Sequence, residues 1–203
     1  MIGRITVILR GHTYEQVRAV ATTLVGSFVQ NMEITMNTEN ALDIIKKISD
    51  EFKGKLFIGA GTVVTFKELI DAIDAGAKFV LSPVAFTREM IEYCKKHNVI
   101  AIPAAFTPSE IYSQISMGAD IIKIFPANEL SHDYARKVCE PLGDLPLMAV
   151  GGVNASNVKE ILSSGYKYVG TAGGIFKKED IKTLNYDGLK ESLKFFEAQL
   201  PSK

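Results

Sequence analysis

No apolar run in the chain approaches the roughly 20 residues that span a bilayer, which excludes a helical membrane protein. The opening "MIGRITVILRG" is too short and too quickly charged for a signal peptide, so a cytoplasmic protein is expected. Cysteine is scarce: Cys94 and Cys139 sit in helical patterns at no metal spacing, which argues against both a disulfide framework and a thiolate metal site. His12, His97 and His132 have no second ligand at metal spacing and read as surface or capping residues, so no metal is expected. An excess of either charge is also missing. Lysine plus arginine equals aspartate plus glutamate at 23 each, so there is no bulk field to draw nucleic acid or an anionic membrane. A small anionic substrate needs only local charge. No linker, low-complexity tract or composition break interrupts the 203 residues, and 1–203 reads as one domain with room for a substantial core.

What is present is alternation. Short β-branched runs ("RITVILR", "FVQNMEITM", "KLFIGAG", "KFVLSP", "VIAIPA", "DIIKIFP", "LPLMAVGG", "KYVGTAG") are separated by amphipathic stretches such as "TYEQVRAVATTLV" and "ENALDIIKKISDEF". Strands alternating with helices imply right-handed βαβ units and a parallel sheet. Eight of each predict an α/β fold, the closed (β/α)8 TIM barrel, with a doubly wound open sheet as the competing architecture. Gly26, Gly76, Gly118 and Gly165 precede the second, fourth, sixth and eighth strands, as helix C-caps would in four similar double units. "TPSE", from Thr107, has the form of a capping box with proline at the first helical position. Tyr14, Tyr93 and Tyr112 follow helical spacing and are expected to pack helices on the barrel.

Strand alternation then sorts the polar residues. In the second strand Glu33, Thr35 and Asn37 share one face, while Met32, Ile34 and Met36 form an apolar face suited to lie under helices. In the sixth, Lys123 shares a face with Ile121 and Phe125. Arg10 ends the first strand, and Thr62 follows Gly59 and Gly61 in "GAGT", where the glycines would let a ligand near the backbone. Barrel active sites lie at the carboxyl ends of strands, and Arg10, Glu33, Thr62 and Lys123 all fall there. Lys55, Lys78 and Lys167 open their strands at the opposite end and call for nothing beyond solvation. A lysine buried at Lys123 needs a partner, for which Glu33 is the candidate, or a lowered pKa. A neutral amine is the nucleophile for a Schiff base with a ketone. Gly151 and Gly152 after the seventh strand, with Ala172, Gly173 and Gly174 after the eighth, suit the usual barrel phosphate site.

"VILRG", "MEITMN", "FIGAGTV", "VLSP", "TPSEI", "IKIFPA" and "AVGGV" occur here in an order and spacing that resembles the class I 2-keto-3-deoxy-6-phosphogluconate aldolases, a group that includes 4-hydroxy-2-oxoglutarate aldolases. The resemblance implies cofactor-free cleavage of a keto-acid sugar phosphate to pyruvate and an aldehyde, by a homotrimer. It assigns the Schiff base to Lys123 and acid–base work to Glu33, with Thr62 and Arg10 holding the pyruvyl carboxylate and Phe125 against the substrate. Departures follow the same register. Asn37 stands where many members have arginine, Gly173 where they have serine, and Val84 and Ala104 where they have glycine. Val150 precedes Gly151-Gly152 in place of threonine, as in the 6-phosphogalactonate branch, where valine replaces the residue sensing the C4 configuration. Two rivals remain at this stage: a sugar-phosphate epimerase or isomerase in which Lys123 is only electrostatic, and a non-catalytic sugar-phosphate binder.

Overall fold

The structure, a computed structural model, describes residues 2–200. Its strands are β1 (Ile5–Leu9), β2 (Asn31–Thr35), β3 (Phe57–Gly61), β4 (Phe79–Leu81), β5 (Ile100–Ile102), β6 (Ala104–Ala105), β7 (Ile122–Ile124), β8 (Leu147–Val150) and β9 (Tyr168–Thr171). Helices α1 (Tyr14–Leu24), α2 (Ala41–Glu51), α3 (Phe66–Asp74), α4 (Arg88–Lys96) and α5 (Pro108–Met117) alternate with the early strands. The later ones are α6 (Tyr134–Leu142), α7 (Val158–Ser163), α8 (Lys178–Lys182) and α9 (Tyr186–Glu197), with a 3-10 turn at Ala127–Glu129. All strand pairs are parallel, in the order β5-β4-β3-β2-β1-β9-β8-β7-β6.

The two ends of that order are halves of one expected strand. "VIAIPA" divides at Pro103, whose ring nitrogen cannot donate to a ladder. Acceptors on that stretch nevertheless stay in register: Ile121 N donates to Ala101 O, Lys123 N to Pro103 O and Phe125 N to Ala105 O. On the other side Ser82 N donates to Ile102 O. The sheet therefore closes through the residue pair on either side of one proline, and the nine segments make an eight-fold barrel.

Two apolar layers result. Ile8, Phe79, Leu81, Ile102, Ile121, Met148 and Val150 fill the barrel interior, while Val7, Leu9, Met32, Ile34, Ile122 and Ile124 pack outward with the helices. The split follows strand alternation residue by residue. Gly26, Gly76, Gly118 and Gly165 all adopt left-handed φ, from 81° to 106°, and turn each helix into the next strand. Thr107 and Glu110 close the capping box of α5 reciprocally. Tyr14 and Tyr93 pack against the core as expected, but Tyr112 is 62% exposed. Ile111 and Gln114 take the inner face of α5, and Tyr112, one residue beyond Ile111, turns about 100° away from it.

Candidate active site

The carboxyl ends of the strands enclose a cleft of about 510 Å3. Of the expected residues it brings together Arg10, Glu33, Lys123, Phe125, Val150, Gly151, Gly152, Ala172 and Gly173. Asn37, Gly61 and Thr62 are not among its walls. Asn37 lies in the exposed turn after β2. Ile8, Val153, Asn154, Gly170 and Thr171 line the cleft and were not singled out from the sequence. Ile8 could have been found, since it shares the face of Arg10 on the first strand; the loop residues carry no periodicity to mark them.

Lys123 is 6% exposed and Glu33 1% exposed, so both charged groups have left bulk water. Burial pushes the Glu33 carboxyl up to about 7, against the opposing pull of Lys123 and Arg10. Burial likewise pushes the Lys123 amine down, with Glu33 raising it and Arg10 lowering it further. The two groups sense each other through the field, without a direct ion pair among the described residues; Glu33 Oε2 is buried with no hydrogen-bond partner. Lys123 Nζ stands 4.6 Å from the Phe125 ring centroid, a contact that favours the charged amine and partly offsets its desolvation. An amine inclined to be neutral and an acid that titrates near neutrality can exchange protons with a bound keto acid without a metal or cofactor.

The glycines of "GAGT" make room for the protein's own side chains. A Cβ at Gly59 would stand 2.5 Å from the Phe79 ring, and one at Gly61 would overlap the Glu33 carboxylate. Gly61 thus sets where Glu33 can sit. Gly61→Ala is expected to displace that carboxylate and lower kcat/KM by about 100-fold or more, the scale of a lost acid–base group. The check is turnover alongside circular dichroism, with the barrel still folded. Thr62 adopts φ 57°, a conformation that costs a β-branched residue on the order of 1–3 kcal/mol. It is held there from both sides, by Met36 N on Gly61 O and Val63 N on Leu81 O.

Arg10 is exposed at the lip, and its turn is anchored inside. Gly11 N donates to Thr38 Oγ1 at 2.9 Å, and Thr38 Oγ1 lies 3.0 Å from buried Thr35 Oγ1 on the strand that carries Glu33. Across the cleft, Thr171 Oγ1 donates to Val153 O and accepts from Gly174 N, tying the last two loops together. Asn154 and Asn157 side chains both donate to Gly152 O. Gly151 and Gly152, at φ 115° and 70°, take backbone shapes that side chains disfavour.

A closed parallel barrel with a desolvated lysine and acid in one mouth has the parts that a class I aldolase, a carbon–carbon lyase, requires. The profile of the KDPG and KHG aldolase family matches residues 2–192, and the chain belongs to that family. It is 32% identical to a 2-dehydro-3-deoxy-phosphogluconate aldolase of Pseudoalteromonas atlantica over 86% of this chain and 81% of the relative. It is 27% identical to the 2-dehydro-3-deoxy-6-phosphogalactonate aldolase of Escherichia coli, over 84% and 83% of the two chains. Among solved structures, the KDPG aldolase of Legionella pneumophila, with pyruvate captured as a covalent carbinolamine, superposes with a TM-score of 0.85 at 25% identity, over 98% of this chain and 95% of that one. No helix among the described residues is long and apolar enough to cross a membrane.

Proposed function

We propose that the protein cleaves 2-keto-3-deoxy-6-phosphogluconate, 4-hydroxy-2-oxoglutarate or both, releasing pyruvate and an aldehyde. The observation that carries this is the pairing, in one cleft, of a buried amine with lowered pKa and a buried acid raised to about 7. Lys123 adds to the C2 ketone and, with loss of water, forms an iminium. Glu33 takes the C4 hydroxyl proton as the C3–C4 electron pair moves toward the iminium nitrogen. The aldehyde leaves, the enamine is protonated at C3, and water hydrolyses the imine to free pyruvate and Lys123. Arg10 is assigned the pyruvyl carboxylate and Phe125 the flank of the carbon chain, while Thr62, outside the cleft walls, is given no contact with the substrate. The protein is assigned to the cytoplasm as a homotrimer; exposed Val64, Val84 and Phe106 on successive mouth loops offer apolar surface for self-association.

Val150 favours a second reading, 2-dehydro-3-deoxy-6-phosphogalactonate, because it puts an apolar branched side chain in the cleft wall where a hydroxyl would discriminate the C4 configuration. Borohydride reduction in the presence of pyruvate tests the aldolase itself. A mass increase confined to the Lys123 peptide is expected, and its absence would favour an epimerase or a simple binder. Pyruvate release from the two phosphorylated sugar acids and from 4-hydroxy-2-oxoglutarate then ranks the substrates.

Phosphate affinity can be raised by design. An added Cβ at Gly173 meets nothing within 4 Å, so Gly173→Ser fits without strain. It is expected to lower KM for a phosphorylated substrate about threefold to tenfold, one hydrogen bond to a charged group, while leaving 4-hydroxy-2-oxoglutarate unaffected. Parallel steady-state assays on the two substrates check it.

A further inference from the structure

Arg10, Glu33 and Lys123 are the charged residues of the cleft walls among the described residues. Once Lys123 is spent on an iminium, Arg10 is the cation left to meet a carboxylate. Its charge already reaches the reacting pair, drawing both the Glu33 carboxyl and the Lys123 amine downward. Yet Arg10 stands on an exposed turn: the ladder between β1 and β2 ends at Leu9 and Ile34, and α1 does not begin until Tyr14. A long cationic side chain on a loose turn would lose conformational freedom each time it bound substrate.

Thr38 removes part of that freedom. Its Oγ1 accepts from Gly11 N at 2.9 Å, 27 residues back along the chain, and lies 3.0 Å from Thr35 Oγ1 at the end of the strand that carries Glu33. Thr35 is fully buried and Thr38 is 7% exposed, so the pair is shielded from water. The turn bearing Arg10 is thereby fastened to the strand bearing the acid.

This is an unusual use of a threonine hydroxyl, which ordinarily serves the backbone beside it. Thr13, Thr65, Thr87 and Thr107 cap their own helices, and Thr22, Thr23 and Thr183 bond the carbonyl one turn back. Thr38 stands two residues before Asn40, the N-cap of α2, and α2 begins with no side-chain capping bond from that residue. The local turn is built from backbone alone, Thr38 N on Thr35 O and Ala41 N on Thr38 O. The Thr38 hydroxyl is therefore free to act at a distance.

We propose that Thr38 is a positioning residue for Arg10: its hydroxyl fixes the turn after β1, so that the guanidinium is preorganised for the carboxylate of a bound keto acid. This rests on the aldolase reading above, with Arg10 on the pyruvyl carboxylate.

Borohydride trapping of the full chain at increasing pyruvate tests it. The plateau of adduct reports Lys123, and the half-saturating pyruvate concentration reports how well the carboxylate is held. Thr38→Val keeps the shape and loses the hydroxyl; half-saturation should move about threefold to tenfold higher, the scale of one hydrogen bond, with the plateau unchanged. Thr38→Ser restores the hydroxyl and should trap as the parent does. Arg10→Ala should raise half-saturation about tenfold or more, as a charge-assisted contact is lost. Adding Thr38→Val to Arg10→Ala should raise it no further, because a residue that acts through another has nothing left to act on. Should Thr38→Val fail to fold in thermal melts, Thr38→Cys, whose sulfur is only a weak acceptor, carries the same test in the same direction. No adduct in the parent would overturn the aldolase reading and this proposal with it. A parent adduct whose pyruvate dependence is unmoved by Thr38→Val overturns this proposal alone. So does a Thr38→Ser variant as impaired as Thr38→Val, or a Thr38→Val effect that persists in full beside Arg10→Ala.

Discussion

Lys123→Met will abolish turnover and, below the Glu33 pKa of about 7, stabilise the fold. Methionine nearly matches the volume of the lysine stem but offers no nucleophile, so no iminium can form. Loss of a covalent catalytic group lowers kcat by about 10⁵-fold or more in well-studied enzymes, and the same scale is expected here. Stability should move the other way. Lys123 is solvated when unfolded and 6% exposed when folded, and burial has pushed its pKa down from 10.5. Whether the amine stays charged in the fold or sheds its proton, folding carries the cost. A methionine removes that cost; replacing a whole buried ion pair with apolar groups of similar volume is neutral or stabilising by about 1–4 kcal/mol, whereas removing one partner of a charged pair is destabilising, so the gain requires Glu33 to be protonated. The gain should be largest near pH 6, where Glu33, titrating at about 7, carries a proton and is not left as an unpaired charge. Thermal melts at pH 6 and pH 8, with a pyruvate-release assay, check both halves. A variant that loses activity together with stability at pH 6 would place Lys123 in the framework instead of the chemistry.

Much of this was legible in the sequence because period-two alternation is a strong signal. It separated Glu33 from Met32 and Ile34, and Lys123 from Ile122 and Ile124, and the two apolar layers fall on the same division. What was not legible depended on contacts between segments distant in the chain. "GAGT" suggested a backbone opened for a ligand, yet the spaces over Gly59 and Gly61 are taken by Phe79 and Glu33. "VIAIPA" looked like one strand; Pro103 divides it while the pairing with β7 runs through. Asn37, by extrapolated alternation, belonged on the face of Glu33. The strand ends at Thr35, and the Thr35–Thr38 contact turns the chain before Asn37 can follow. Alternation assigns faces; it cannot say which side chains meet.

Glu33→Gln separates the acid from the amine. Glutamine keeps the shape but cannot accept the C4 hydroxyl proton, and a lost general base lowers kcat by about 10²–10⁴-fold. Lys123 is untouched, so borohydride trapping with pyruvate should continue, and the pair of assays distinguishes a proton-transfer defect from a failure to form the imine. The pH profile carries a further signature. In the parent, kcat/KM should fall about tenfold per pH unit below the Glu33 pKa of about 7, as the base takes up a proton. That limb should be absent from the variant. Stability follows with its sign fixed by linkage. Glu33 has a folded pKa raised above its ordinary 4.5, so between that value and about 7 the folded state binds more protons than the unfolded one. The parent therefore loses stability as pH rises through this window, by about 3 kcal/mol at most. Glu33→Gln should flatten the loss, being more stable than the parent at pH 8 and no more stable near pH 4. A parent whose melting temperature does not fall between pH 5 and pH 8 relative to the variant would mean that the carboxylate is solvated, and the acid–base assignment would go with it.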